Sequence, residues 1–313
     1  MRILVLGAGA IGGYFGGRLL AAGRDVTFLV RARRAAELAR TGLVIRSRLG
    51  DVSLLAPTVM ADALRSPFDL IFLSCKAYDL AGAMDQLAPA VGPETAILPL
   101  LNGMAHLDLL AARFGGSRVL GSQCIISSAL DADGRIIHLN DTHLLAFGER
   151  DGARSPRIDA IGSVLSNAGF EARRSDAIMQ EMWEKWIFIA SLAGITCLLR
   201  AAVGDIAAVG AADLAAGMLD ECATIASNEG FAPGQSSLER TRAMVTSAGS
   251  TLTASMLRDV ERGAPIEADH IIGDLLRRGE RRAGVFPLLR IAYAHLKVYE
   301  TRRARESAVP KAA

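Results

Sequence analysis

The sequence predicts an α/β domain in the N-terminal half and an all-helical domain after it, from three observations. Up to about residue 175, short apolar or β-branched runs alternate with helical segments, which is the order of a parallel sheet wound with helices. From about residue 176, alanine-rich stretches with helical periodicity replace the strand-like runs. The 313 residues are enough for two domains that each bury a core. We therefore predict two domains, 1–175 and 176–313.

The predicted sheet is built from six strand-like runs: Arg2–Leu6, Asp25–Arg31, Leu43–Arg48, Asp69–Cys75, Ala96–Leu101 and Val119–Ser127. The segment Leu70–Leu73 is apolar throughout, as expected of a parallel strand that helices cover on both faces. Two further runs, Arg135–Leu139 and His143–Gly148, predict an antiparallel hairpin that turns at Asn140 and Asp141.

Glycine and proline breaks divide the second domain into helices of roughly 12–22 residues. The breaks fall near Gly204, Gly230–Gly234, Gly263–Pro265 and Gly284–Pro287. The apolar stretch Trp186–Leu199 is shorter than the ~20 residues that span a membrane, so it predicts a buried helix. Residues 307–313 are predicted to form a frayed tail.

The overall composition argues against nucleic-acid and membrane partners. The 35 basic and 33 acidic residues leave a net charge of +2, which is too small to attract a polyanion. Gly7 and Gly9 interrupt the apolar start of the chain, which argues against a signal peptide. The cysteines lie far apart without a C-x-x-C pair, which predicts reduced thiols in a cytoplasmic protein that folds without metal. They are Cys75, Cys124, Cys197 and Cys222.

A glycine motif follows the first predicted strand directly. Gly7-Ala8-Gly9-Ala10-Ile11-Gly12 matches G-x-G-x-x-G and opens a segment with helical spacing. The first two glycines let the backbone turn and approach a pyrophosphate at a helix N-terminus, and the third lets the helix pack on the strand. The alternative is a glycine-rich turn in any α/β protein. The order strand, motif, helix, strand favours a Rossmann-type dinucleotide-binding domain.

The end of the second predicted strand indicates which dinucleotide binds. An NAD site usually has an acidic residue there, whereas this chain has Arg31, followed by Arg33 and Arg34. A guanidinium pairs well with the 2′-phosphate of NADP through charge-assisted hydrogen bonds. A solvated basic helix start is the alternative. The sequence therefore predicts NADP(H), with Arg31 as the first candidate.

Five segments of the sequence together carry a family resemblance: the glycine loop with Arg31, Ser74–Tyr78, Leu101–Met104, Glu181–Trp186 and Ser255–Glu267. Through them the sequence resembles the ketopantoate reductases (2-dehydropantoate 2-reductases) over nearly its whole length. It implies NADPH-dependent reduction of a 2-oxo acid to a 2-hydroxy acid. By family, the substrate is 2-dehydropantoate, the product is pantoate and the pathway is pantothenate biosynthesis.

Lys185 matches the catalytic lysine that the resemblance implies. Independently, it interrupts an apolar face of a predicted helix, and burial there would lower its pKa and make it a usable acid. The other residues of that face are Ile178, Met182, Ile189 and Leu192. Two alternatives stay open: an ion pair with Glu181 one turn earlier, or an amine held in water by a stem that lies on the apolar face.

Two further residues match catalytic positions of the family. Glu267 matches an acid that binds substrate and assists proton movement, although an acid just after Pro265 is also favoured at a helix start. Asn102 matches a residue near the nicotinamide ribose and the catalytic lysine, with a turn before Gly103 as its alternative.

The remaining matches concern binding. Ser255 matches a residue that contacts the substrate carboxylate; the alternative is an ordinary polar residue on a helix. Lys76 matches a residue near the cofactor; the alternative is a solvated lysine at a strand end.

The chain also departs from the family pattern. Ile189 and Ala193 stand where the family typically has asparagines, four and eight residues after the lysine. Losing those hydrogen-bonding groups penalises a hydroxylated substrate, which favours a more apolar 2-oxo acid or another carbonyl compound.

The sequence leaves three alternatives open. The reaction could run physiologically as a reduction or as an oxidation, and the protein could form a homodimer through its helical domain. The protein could also be a non-catalytic regulator that binds NADP, although the retention of Lys185, Asn102 and Glu267 argues against this.

Overall fold

The computed structural model describes residues 1–308. The first residues of the predicted frayed tail, Ser307 and Ala308, are helical instead, because the last helix extends to residue 308. The rest of that predicted tail, 309–313, lies outside the described residues.

Within residues 1–308, the strands are β1 Arg2–Leu6, β2 Asp25–Leu29, β3 Leu43–Arg46, β4 Val52–Leu54, β5 Thr58–Val59, β6 Leu70–Leu73, β7 Ala96–Pro99, β8 Gly121–Leu130, β9 Ile136–Gly148 and β10 Glu171–Arg174. The helices are α1 Gly12–Ala21, α2 Ala32–Thr41, α3 Leu80–Leu87, α4 Ala105–Phe114, α5 Pro156–Leu165, α6 Ile178–Leu199, α7 Val203–Ala208, α8 Ala212–Asn228, α9 Gln235–Thr246, α10 Ser255–Glu261, α11 Asp274–Arg281 and α12 Pro287–Ala308. A π-helix, Asp269–Gly273, precedes α11.

The first sheet is parallel, with the strand order β5-β2-β1-β6-β7. Leu4 at its centre pairs with Thr27 on one side and Ile71 on the other. The interior of β1 is fully buried, as a strand between two helical layers has to be. The prediction of a Rossmann-type α/β domain is confirmed. Strands β2 and β6 end two residues before their predicted ends, at Leu29 and Leu73.

The second sheet corrects the predicted hairpin. It has the order β10-β9-β3-β4, with β8 antiparallel to β9. The turn between β8 and β9 is at Asp131–Arg135, where the Asp131 carboxylate accepts the backbone N–H of Arg135 at 2.8 Å. Asn140 and Asp141 instead lie within β9, in a register shift between the pairs Ile126–His143 and Ser128–His138.

The physical reason for this error is the side chain of Asn140. Its amide oxygen accepts a hydrogen bond from the backbone N–H of Ser127 at 2.8 Å. It thereby takes the place of a backbone carbonyl at the register shift of the strand pair. An asparagine that favours a turn in isolation here stabilises a bulge in a continuous strand.

The tertiary contacts divide the chain into two compact units. The α/β unit contains 1–101 and 106–181, and the helical unit contains Asn102–Ala105 together with the chain from Met182 onward. The prediction of a helical C-terminal domain is confirmed. The units differ from the predicted boundary at 175/176 in two ways: the change falls after Glu181, inside α6, and the short segment Asn102–Ala105 packs with the helical unit.

Helix α6 is the core helix of the helical unit. By length and composition alone it could cross a membrane, but 67% of its most apolar window is buried inside the protein. Trp186 and Ala193 are each 1% exposed. The prediction of a buried helix is confirmed. Burial also raises the pKa of the Cys197 thiol on this helix to about 12.

Candidate active site

A cleft of about 350 Å³ opens in the α/β unit at the carboxyl ends of β1, β2 and β6. In the sheet, β1 lies between β2 and β6, and the chain crosses from the β2 side of β1 to the other side between β5 and β6. Open α/β sheets bind ligands at such a switch point. The residues that line the cleft include Gly7, Ala8, Gly9, Leu29, Val30, Arg31, Arg33, Arg34, Cys75 and Asp79.

The glycines of the loop after β1 occupy three different environments. Gly7 has φ +92°, and its N–H donates to the Leu29 carbonyl at 2.9 Å, which turns the chain at the end of β1. A β-carbon on Gly12 would lie 2.0 Å from the Ser74 hydroxyl oxygen and 2.5 Å from the Gly7 carbonyl oxygen. At Gly9 a β-carbon would meet no described atom within 4 Å, because this residue borders the open cleft.

Side chains from distant parts of the α/β unit hold this loop in place. The Arg34 guanidinium donates to the Ala8 carbonyl at 2.9 and 3.1 Å, and to the Gly134 carbonyl in the β8–β9 turn at 3.0 Å. The Ser128 hydroxyl donates to the Ala10 carbonyl at 3.0 Å. The loop conformation is therefore set before any ligand binds.

This loop fits the pyrophosphate of a dinucleotide. The first turn of α1, Gly12–Phe15, is uncharged, and Ile11 before it has an apolar side chain that cannot cap the helix. The helix N-terminus therefore presents backbone N–H groups and a partial positive charge to an anion. The space in front of Gly9 admits a phosphate close to the backbone.

The three arginines after β2 differ in their surroundings. Arg31 is 73% exposed and pairs with Asp79 at 3.3 Å. Arg33 is 90% exposed and pairs with Glu37 at 3.1 Å. Arg34 is only 16% exposed and holds the glycine loop. Arg31 and Arg33 are thus able to reach an anionic group in the cleft, whereas Arg34 is committed to the protein.

Lys76 lies at the same edge of the sheet. It is exposed, follows the cleft-lining Cys75 beyond the end of β6, and precedes a 3₁₀ turn at Ala77–Asp79.

The helical unit carries the other predicted residues. Lys185 lies on α6 and is partly buried. Met182 and Leu192 of its predicted apolar face are 4% and 5% exposed. Ile189 is partly buried and Ala193 is buried on the same helix. Lys185 thus lies on a helix whose buried side chains are mostly apolar.

Glu181, the predicted alternative partner of Lys185, belongs to a polar cluster of the α/β unit. Its carboxylate accepts hydrogen bonds from Arg173 at 2.6 and 3.0 Å, from Ser175 at 2.6 Å and from Gln123 at 2.8 Å. Burial raises the pKa of this carboxyl, but the hydrogen bonds, chiefly from Arg173 and Ser175, outweigh it and leave the pKa below its ordinary value.

Asn102 is partly buried in the short segment that packs with the helical unit. The next residue, Gly103, has φ +80°, and a β-carbon there would lie 3.0 Å from Cδ2 of His270. The His270 imidazole makes a hydrogen bond to the backbone of Asn102 that raises its pKa, so the imidazole donates to the carbonyl. Residue 102 is thereby tied to the π-helix.

Glu267 and Ser255 lie in the same unit. Glu267 is partly buried just before the π-helix, and its carbonyl accepts the N–H groups of His270 at 3.2 Å and Ile271 at 2.9 Å. Ser255 is exposed at the start of α10. The preceding Ala254 N–H donates to the Thr196 hydroxyl of α6 at 3.4 Å.

The sequence did not predict the structural roles of two residues, Arg34 and His270. Arg34 was named only as a neighbour of Arg31, and His270 was not named. Neither stands in a local motif, because each acts on a backbone group far away in sequence, Ala8 and Asn102 respectively.

Comparison with known proteins shows which class of enzyme has this architecture. The family model described as "Ketopantoate reductase PanE/ApbA" matches residues 3–152, and that described as "Ketopantoate reductase PanE/ApbA C terminal" matches residues 177–300. The protein is accordingly an oxidoreductase that acts on CH–OH groups with a dinucleotide. It belongs to the ketopantoate reductase family, as the sequence resemblance predicted.

Individual relatives support this assignment. The chain is 39% identical over 304 residues to an uncharacterized oxidoreductase, YkpB, of Bacillus subtilis, covering 97% of this chain and 100% of that protein. It is 29% identical to a 2-dehydropantoate 2-reductase of Mesorhizobium japonicum, with 89% and 91% covered. Among solved structures, a 2-dehydropantoate 2-reductase from Methylococcus capsulatus superposes with a TM-score of 0.86 at 27% identity, over 97% and 98% of the two chains.

Proposed function

We propose that the protein reduces a 2-oxo acid to the corresponding 2-hydroxy acid with NADPH, using Lys185 as the proton donor. The observation that carries this proposal is the partly buried lysine on the buried helix α6, in a family of CH–OH oxidoreductases. Burial lowers the pKa of an ammonium, so a partly buried lysine gives up its proton more readily than one in water. Such a group serves as an acid toward an oxygen that gains negative charge.

The residues divide the work as follows. NADPH, which Gly7–Gly12 and Arg31 would hold, would supply the hydride that the carbonyl carbon accepts. Lys185 holds a proton at Nζ and transfers it to the carbonyl oxygen as the C=O double bond becomes a single bond, and then regains a proton from solvent. Asn102 positions the reacting groups, and Glu267 hydrogen-bonds the substrate and assists this proton movement. The Ser255 hydroxyl binds the substrate carboxylate.

The α/β unit holds the cofactor in this proposal. Gly7–Gly12 bind the pyrophosphate, and Lys76 lies at the same sheet edge. Arg31 binds the 2′-phosphate, which makes NADPH preferred over NADH. Arg33 is the second candidate for that contact, since its side chain is also exposed.

The default substrate is 2-dehydropantoate, after the names of the relatives. Ile189 and Ala193 favour a second candidate, a 2-oxo acid with a more apolar side chain, because neither residue can hydrogen-bond a substrate hydroxyl through its side chain. The buried thiols Cys197 and Cys222 suit a reducing, cytoplasmic compartment.

The experiment that tests the function follows NADPH absorbance with a panel of 2-oxo acids. The panel contains 2-dehydropantoate and analogues with branched aliphatic or aromatic side chains, each assayed with NADPH and with NADH. Fastest turnover of 2-dehydropantoate assigns the family reaction, and fastest turnover of an apolar analogue assigns the altered specificity. NADPH binding without turnover of any 2-oxo acid would contradict the proposal and favour a cofactor-binding regulator.

A further inference from the structure

The π-helix Asp269–Gly273 is bonded to each of the segments that carry the proposed catalytic residues. It begins two residues after Glu267, and the Glu267 carbonyl accepts the N–H groups of His270 and Ile271 within it. The indole N–H of Trp186, the neighbour of Lys185, donates to the carbonyl of Ile271 at 2.9 Å, and this bond is buried. π-Helical turns are rare in proteins, and those that occur are often found at functional sites.

The inner side of the π-helix contacts the segment of Asn102 through His270. This side chain is 9% exposed, and its imidazole donates to the Asn102 carbonyl. A β-carbon on Gly103 would lie 3.0 Å from Cδ2, 3.2 Å from Nε2 and 3.1 Å from the carbonyl oxygen of His270. The backbone at 102–103 therefore lies directly against the ring.

The outer side of the π-helix is held by α11 and α12 through Asp269. Its carboxylate accepts hydrogen bonds from the Tyr293 hydroxyl at 2.5 Å and from the Lys297 ammonium at 2.9 Å. Its backbone carbonyl accepts from Arg277 at 3.2 Å. His270 is thus presented from a fixed piece of backbone.

We propose that His270 is a positioning residue, which holds Asn102 in place for the reduction through the hydrogen bond to its backbone carbonyl. This inference rests on the proposed function of Asn102. The Asn102 side chain does the work at the substrate and cofactor, and His270 acts through it. Loss of the imidazole leaves residue 102 next to Gly103, which has no β-carbon to restrict its backbone.

The imidazole acts as a neutral donor. Burial lowers the pKa of His270 below its ordinary value of 6.5, as does the positive charge of Arg277. The carboxylates of Glu267 and Asp274 and the Asn102 carbonyl oppose this lowering without cancelling it. At neutral pH the ring is uncharged, so its replacement by another neutral N–H donor keeps the interaction.

The test uses the full chain and three single variants. His270→Leu removes the donor, His270→Gln keeps an N–H donor, and His295→Leu is the matched control on α12. Steady-state kinetics at saturating NADPH, fluorescence titration with NADPH and thermal melting are measured for each. We expect His270→Leu to lower kcat by about 10- to 100-fold, since small misplacements near reacting groups have effects of this size. His270→Gln restores most of kcat, and His295→Leu leaves it unchanged.

A double-mutant cycle separates positioning from mere stability. In an Asn102→Ala background, His270→Leu lowers kcat by no more than about 2-fold further, since the group it positions is already gone. Full additivity of the two losses would overturn the inference, as would equal activity of His270→Leu and His270→Gln at full folding.

The proposed function can fail separately. If the wild-type protein reduces no 2-oxo acid, the same cycle is evaluated on the dissociation constant for NADPH, to which Asn102 is also assigned. Non-additive losses of NADPH affinity then support the positioning of Asn102 by His270, and additive losses contradict it.

Discussion

The proposed cofactor cleft and the proposed catalytic residues are built in opposite ways. In the α/β unit, one continuous loop offers its backbone groups to a ligand, and the side chains of Arg34 and Ser128 hold that loop in place. In the helical unit, the side chains proposed for the chemistry lie on separate segments. Side-chain bonds to backbone carbonyls, from Trp186 to Ile271 and from His270 to Asn102, hold those segments together.

The two regions are sensitive to different kinds of substitution. A backbone site tolerates side-chain changes except where a side chain would fill space that the backbone or the ligand needs. A side-chain site depends on a few residues for its chemistry, and on a few others for their placement. We therefore expect substitutions in the cleft to change binding or folding, and substitutions of the proposed catalytic side chains in the helical unit to change chiefly turnover.

The largest effect is expected at Lys185. Lys185→Ala should lower kcat by about 10²- to 10⁴-fold, the usual contribution of a general acid. NADPH affinity and the melting temperature should stay close to those of the wild type, because the cofactor loop lies in the other unit. Steady-state assays measure kcat, fluorescence titration measures NADPH affinity, and thermal melting measures the melting temperature. Wild-type-like turnover by this variant would remove Lys185 from the mechanism.

Two glycines of the same loop form the next test. Gly12→Ala places a β-carbon 2.0 Å from the Ser74 oxygen, so it should destabilise the protein by about 1–3 kcal/mol or more. Gly9→Ala, whose β-carbon enters open space, should melt like the wild type but bind NADPH at least about tenfold more weakly.

Gly116→Ala serves as the control for both, because nothing described lies within 4 Å of its β-carbon either and it does not line the cleft. Thermal melting of the three variants tests whether Gly12 is needed for packing, and NADPH titration tests whether Gly9 is needed for cofactor binding. Equal NADPH affinity for Gly9→Ala and Gly116→Ala would speak against a pyrophosphate at this loop.

The arginines give a smaller, selective effect. Arg31→Ala should weaken NADPH relative to NADH by about 10- to 100-fold, the size of a lost hydrogen bond to a charged group. Arg34→Ala should weaken both cofactors alike, because it loosens the loop at Ala8. Ratios of kcat/KM for the two cofactors measure this. An unchanged ratio in Arg31→Ala, with a changed one in Arg33→Ala, would transfer the phosphate contact to Arg33.

The smallest effect is a pH dependence of stability in the α/β unit. Burial, together with the charges of Arg18 and His138, lowers the pKa of His143 below its ordinary value of 6.5, although Glu171 opposes this. Below pH 6.5 the unfolded chain therefore binds the proton more readily than the folded one. Stability from this group is complete above pH 6.5 and falls as the pH drops through the lowered pKa.

We expect the melting temperature to fall by a few degrees at most between pH 7 and pH 5 through this group. Tyr14 donates to or accepts from His143 at 2.7 Å, so His143→Gln retains a polar partner at that site. This variant should show a flatter dependence than the wild type over the same interval. A steeper pH dependence of the melting temperature in His143→Gln than in the wild type would mean that His143 gains protons on folding.

The sequence predicted the elements whose causes are local. The parallel strands, the glycine loop and the apolar core helix each follow from residues close together in the chain. The hairpin was misplaced because the turn tendency of Asn140 was satisfied instead by a bond to Ser127 across the strand pair.

The brace by Arg34 and the bond from His270 were beyond local prediction, since their acceptors at residues 8 and 102 come together only through tertiary folding. The roles of Lys185, Asn102, Ser255, Glu267 and Lys76 in catalysis and binding stay predictions.

The membership of Asn102–Ala105 in the helical unit has a consequence for any attempt to divide or recombine the protein. A fragment that ends after residue 181 retains this segment without the π-helix that contacts it. A chimera that takes its C-terminal part from another homologue would pair one parent's Asn102 with the other parent's counterpart of His270. Because the acceptor is the backbone carbonyl of residue 102, we expect such a chimera to keep this bond only where the incoming chain has an N–H donor at the position of His270.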